Sequence, residues 1–180
     1  MTHYTDLTSA EVVAKLGETD QQFLSMPSTD LAITRARLRL RLVDLSNHKQ
    51  EQVYFLTEAV VLLETALVQA ERLDEALALS AALGETYLRF YQLTKEKHYL
   101  VVTRQVAKPL AHHDHPLILF TLVRSSVLEG HLAMAKHWLS RLMRLPSIHP
   151  LQIEDIHSAQ DLSEVAQEDW FKQLLQQKLH

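Results

Sequence analysis

The chain has 180 residues, 47% of them hydrophobic and 22% charged, with a formal net charge of -4. These are ordinary values for one globular domain, and they exclude a disordered or a membrane-embedded chain. Cys 0 excludes disulfides, thiolate metal sites and cysteine nucleophiles together, while Gly 3 and Pro 5 leave too few turn residues for an all-β fold. The opening residues lack the basic stretch and apolar run of a secretory signal, so a cytoplasmic protein with no membrane contact is expected.

Taken in order, the elements are helical. Thr8 and Glu11 have the spacing of a capping box, which predicts a first helix to about Ser25. Pro27 breaks it, and the oxygen-bearing residues Ser28 to Asp30 open a second helix to about Ser46. Lys49 to about Ala70 carries Val53, Leu56, Val60, Leu63 and Leu67 at helical spacing. Val61 and Leu62 widen that face, as in an inner helix packed on two sides. Asp74 is expected to cap a fourth helix to about Thr94. A fifth runs from His98 towards Pro109, and Ala111 to Pro116 connects it to a sixth that ends before Gly130. A seventh spans Leu132 to Leu145, Pro150 opens a short eighth, and Asp161 with Glu164 resembles a capping box for the last. Nine helices on short connectors must pack antiparallel to their sequence neighbours.

Leu119 to Pro146 resembles a tetratricopeptide repeat. Gly130 matches the small residue at the turn between the repeat's two helices, Ala135 the alanine of the second helix, Leu139 and Leu142 its apolar positions, and Pro146 the closing proline. Leu83-Gly84-Glu85-Thr86-Tyr87 is similar to the first-helix motif of a preceding repeat, with its second helix from Tyr99 through Val106. Val102 to Ala135 is close to the family's period, whereas Gly84 to Val123 is over a helical turn longer. The resemblance implies an all-α, right-handed solenoid of stacked helix pairs. It would form one domain over 1–180, with N-terminal helices in 1–72, repeats in 74–146 and capping helices in 150–180.

It also implies a function. First helices of successive pairs line a groove in that family, which places Glu85, Leu88, Arg89 and Gln92 on one wall and Phe120, Arg124 and Val127 on the next. The expected activity is binding of a partner protein segment, as an adaptor, scaffold or chaperone, with no cofactor and no catalysis. The variant that grips a terminal carboxylate does so with lysine and asparagine at set positions, and Glu85 occupies one of them, which argues against that ligand.

Other chemistry is weighed on the residues themselves. Arg35, Arg37, Arg39 and Arg41 straddle the polar side of a helix, either as a solvated face or as a grip for nucleic acid. His112, His113, Asp114 and His115 are residue types that bind zinc, nickel or copper, but adjacent side chains diverge. A metal-dependent enzyme would need further ligands there. Glu154 and His157 have the spacing of a di-iron ligand pair, in a single copy. Nucleophile-elbow and phosphate-loop motifs do not occur.

Overall fold

The first two helices begin where a side chain accepts a backbone amide of the first turn. The computed structural model describes residues 6–146, 156 and 159–179, without the side chains of 177–179. Among them every regular element is helical, in eight α-helices packed in adjacent pairs. The short helix expected at Pro150, with Glu154 and His157, lies outside the described residues. The chain divides into two compact units, Met1–Glu96 and Lys97–His180.

The first unit holds α1 (Ser9–Ser25), α2 (Thr29–Leu45), α3 (Lys49–Val68) and α4 (Leu73–Thr94). The expected capping box opens α1: the Glu11 carboxylate accepts the Thr8 amide at 2.8 Å, and the Thr8 hydroxyl accepts the Glu11 amide at 3.4 Å. Ser28 accepts the Leu31 amide at 3.2 Å and opens α2. Asp74 does not cap α4. It sits in the first turn, ion-paired with Arg72, and Glu75 accepts the Arg72 amide at 3.4 Å.

Helix α2 packs against α1, α3 and α4, and α3 also packs against α4. Val12, Leu38 and Leu42 form a core cluster joined by Leu16, Leu45 and Phe55. Because α2, α3 and α4 touch one another three ways, α3 buries one face, with Leu56, Ala59 and Leu63 inside. Val61 does not widen that face as expected; it stands in solvent with Tyr54 and Val68.

One polar group is enclosed where α1, α2 and α3 meet. The Arg39 side chain is 8% exposed. Its Nη2 donates to Asp20 at 3.2 Å, Nε to Glu58 at 3.0 Å, and Nη1 to the Arg35 carbonyl at 3.2 Å. Asp20 also accepts Arg35 Nε at 2.5 Å. Burial raises the pKa of Asp20, but the hydrogen bonds and charges of Arg35 and Arg39 outweigh it, and the net direction is down. The pair is therefore intact above the ordinary carboxylate range and is lost as pH falls through the lowered value.

The second unit holds α5 (His98–Ala107), a 3-10 helix (Lys108–His113), α6 (Pro116–Leu128), α7 (Leu132–Arg144), a 3-10 turn (Gln160–Leu162) and α8 (Asp169–Leu179). Pro109 ends the α-helical pattern by removing an amide, but the chain continues as a 3-10 helix into the histidines instead of opening a connector at Ala111. Pro116 takes the first position of α6, where no amide is needed.

Helix α6 is the axis of this unit, packed against α5 and α7 and buried on most of its circumference. Its end closes by two backbone bonds, His131 amide to Ser126 carbonyl and Gly130 amide to Val127 carbonyl, both 2.8 Å. This is a Schellman closure, with Gly130 in the left-handed position at φ 77°. Asp161 opens no long helix. It lies in the 3-10 turn and spends its carboxylate on Arg124, so α8 begins later, at Asp169.

Replacing Arg39 with Leu leaves Asp20 and Glu58 without their shared cation, and a loss of about 2–3 kcal/mol is expected by urea denaturation. Adding Asp20→Asn and Glu58→Gln should recover part of it. For Gly130→Ala a loss of about 1–2 kcal/mol is expected, from the left-handed backbone alone. A Cβ there meets nothing within 4 Å, so a larger loss would contradict this origin.

Candidate functional site

The residues expected to line a groove fall in separate units, Glu85, Arg89 and Gln92 on α4 and Phe120, Arg124 and Val127 on α6. Arg89 donates to Asp44 at 3.0 Å and to Glu85 at 3.3 Å, and all three are partly exposed. Val127 is 3% exposed and Leu88 is fully buried. Both are core residues, and neither presents a surface to a partner. Arg124 is committed to Asp161, donating from Nε at 2.7 Å and Nη2 at 2.6 Å to one carboxylate oxygen. Its guanidinium lies 5.6 Å from the centre of the half-buried Phe120 ring. This arginine holds the 160–162 turn against α6; an interface anchor would need it free to leave that carboxylate.

The arginine stripe is likewise largely spent inside the fold. Arg35 and Arg39 serve Asp20 and Glu58, Arg35 stacks on Phe23 at 4.3 Å, and Arg41 donates to the Leu7 carbonyl at 3.1 Å. Only Arg37 of the four is exposed, and it makes no ion pair among the described residues. A phosphate backbone would find one available charge of the stripe on this helix.

The histidines diverge. His112 Nδ1 bonds the Pro109 carbonyl at 2.8 Å and its ring stacks on His113 at 3.8 Å. Asp114 accepts Arg141 Nε at 2.6 Å. His115 is half-buried ahead of α6, its Nδ1 enclosed with no hydrogen-bond partner, and burial pushes its pKa down. Among the described residues no three His, Asp or Glu side chains converge as a metal site would require.

A different concavity is present in the second unit. A cleft of about 360 Å³ lies over α6, with Leu122 and Ser126 as its floor. Arg104 of α5 and Lys108, which opens the following 3-10 helix four residues on, form one wall, and Met134 and Trp138, also four apart, form the α7 wall. His131, fixed by the turn that ends α6, stands at one corner. Arg104 donates to Glu129 at 2.6 Å, and His131 lies 3.4 Å from the same carboxylate oxygen. Lys108 is exposed and makes no ion pair among the described residues, and Met134 is 44% exposed. Residues 97–146 contain seven lysines and arginines against two carboxylates, Asp114 and Glu129. The cleft thus joins apolar lining, Leu122, Met134 and Trp138, to a basic rim. Its two walls were each visible as an i, i+4 pair in the sequence, but only the packing of α5 and α7 beside one helix makes them face a common space.

The chain matches no protein-family model, no curated protein and no solved structure. No described helix is long and apolar enough to cross a membrane.

His115 gives a pH test of this region. Its folded-state pKa lies below the ordinary 6.5, so on acidification the unfolded chain takes up the proton first and stability falls. The thermal midpoint should drop between about pH 7.5 and about pH 5.5, and drop less in His115→Gln. Equal slopes would assign the effect to other groups.

Proposed function

We propose that the chain is a protein-interaction module, an adaptor, scaffold or chaperone, that holds a segment of a partner protein in the cleft between α5 and α7. The observation that carries this reading is the apolar lining, Leu122 in the floor with Trp138 and Met134 in one wall, beside a rim with an uncommitted lysine. An aromatic or aliphatic side chain of the partner would displace water from the floor, while carboxylates beside it meet Lys108 and compete with Glu129 for Arg104. Methionine suits such a wall, since its unbranched thioether adapts to the shape pressed on it. The volume is at the small end of ligand-sized cavities, enough for an anchor residue but not for a folded domain.

The tetratricopeptide-type reading belongs to this proposal. Supporting it are the α6–Gly130–α7 hairpin, the full burial of Ala135 at its crossing, and Pro146 just past the end of α7. The contact of α2 with α4, two helices on, is what stacked pairs produce. The nucleic-acid reading loses its main feature, because three of the four stripe arginines are engaged within the fold. The metal-dependent reading lacks convergent ligands among the described residues.

The test is a pull-down from the native host with wild type and the double variant Lys108→Glu plus Met134→Glu. Both positions are exposed, so circular dichroism and melting should be unchanged. Partners retained by the wild type at low salt are expected to be lost from the variant. Identical recovery from both would refute the cleft.

A further inference from the structure

Helix α3 presents a second face that the packing leaves uncovered. Tyr54, Val61 and Val68 are 58%, 55% and 88% exposed. They recur every seven residues, so at about 100° per residue they lie within a narrow stripe along the helix. Thr57 and Thr65 fill the stripe between them, and both are exposed.

The polar atoms of this stripe are already satisfied from within α3. Thr57 donates to the Val53 carbonyl at 2.8 Å, Thr65 to the Val61 carbonyl at 2.7 Å, and Tyr54 to Glu58 at 2.8 Å. No donor on the stripe would be orphaned if a partner excluded water from it. A helix laid along α3 could therefore cover methyl groups and one aromatic ring without the usual penalty for burying hydroxyls.

The flanks decide what kind of helix. Glu51 and Glu58 run along one side and Glu64 along the other, and α3 carries no lysine or arginine after Lys49. Glu58 accepts Arg39 on one oxygen and Tyr54 on the other, Glu64 accepts Tyr87, and each carboxylate keeps further acceptor sites, since its two oxygens carry about four lone pairs. A second copy of α3 would bring carboxylates with no cations to answer them. A helix with basic residues beside its apolar seam would meet acid on both sides.

We infer that the exposed face of α3 is a docking surface for an amphipathic helix whose apolar heptad seam is flanked by lysine or arginine. It is separate from the α5–α7 cleft and does not depend on it. Opposite-charge flanks select this partner, and the seven-residue repeat sets the register, as in a helix pair with charged e and g positions.

Two synthetic helical peptides test it, each with leucines at the a and d positions, one flanked by lysines and the other by glutamates. Binding to the full chain is read by fluorescence anisotropy, with wild type and Val61→Glu compared. The lysine-flanked peptide should bind the wild type, the glutamate-flanked one should not, and Val61→Glu should weaken binding by about tenfold or more. Because Val61→Glu adds negative charge, unspecific attraction to an acidic protein would rise in that variant, not fall. Undiminished binding to Val61→Glu, or equal binding of the two peptides, would overturn the proposal. So would dimerisation of the chain that Val61→Glu abolishes, since the occupant would then be a second copy. Val61 is on the surface, and an unchanged melting curve confirms that the variant is folded.

Discussion

Arginine cannot shed its proton at any pH at which this chain is folded, so burying Arg39 obliges the surrounding helices to supply acceptors. Asp20 comes from α1, Glu58 from α3, and the Arg35 carbonyl from α2 itself. Three helices are thereby fixed in rotation and in register about one planar group. Apolar packing alone would tolerate a helix sliding by a few tenths of an ångström, whereas a forked donor with three acceptors does not. The direction in which α3 turns its remaining face follows from this. With Glu58 held inward towards Arg39 and Leu56, Ala59 and Leu63 in the core, Tyr54 and Val61 are left outside.

The second unit solves the same problem with a smaller device. Arg124 and Asp161 form a nearly enclosed pair that ties α6 to a turn distant in sequence. Charges used in this way are structural, and removing one partner takes from the other its buried counter-charge. Of the two cations that line the α5–α7 cleft, Lys108 is exposed and Arg104 is partly exposed. The sorting of arginines into those enclosed by carboxylates and those facing solvent is what moves the candidate site from α4 and α6 to the α5–α7 cleft.

Features set within a few residues were legible in the sequence. Thr8 with Glu11, Ser28, Pro116 and Gly130 each act on a backbone group close by, and each stands where the pattern put it. The all-helical class and the antiparallel pairing follow from the same local rules and the short connectors. Asp161 with Glu164 has the same spacing as Thr8 with Glu11, yet its carboxylate has a stronger partner in Arg124, which no local rule can see. Val127 and Leu88 occupy positions that a regular repeat would expose, and Arg35, Arg39 and Arg41 occupy positions that a single amphipathic helix would solvate. In each case the outcome depends on a neighbouring helix brought in by packing. The candidate site was the least legible part, because a cleft is a property of helices side by side and not of any one of them.

The threonines of α3 bear on how such a surface stays out of trouble in a crowded solution. A continuous row of valine and leucine on an exposed helix invites irreversible aggregation. Thr57 and Thr65 keep an oxygen available to water while the helix is bare, so the row remains wetted. With their protons turned back to the Val53 and Val61 carbonyls, the same residues make little demand once covered. Such a surface discriminates by shape and flanking charge, and any association it supports is one that can be undone.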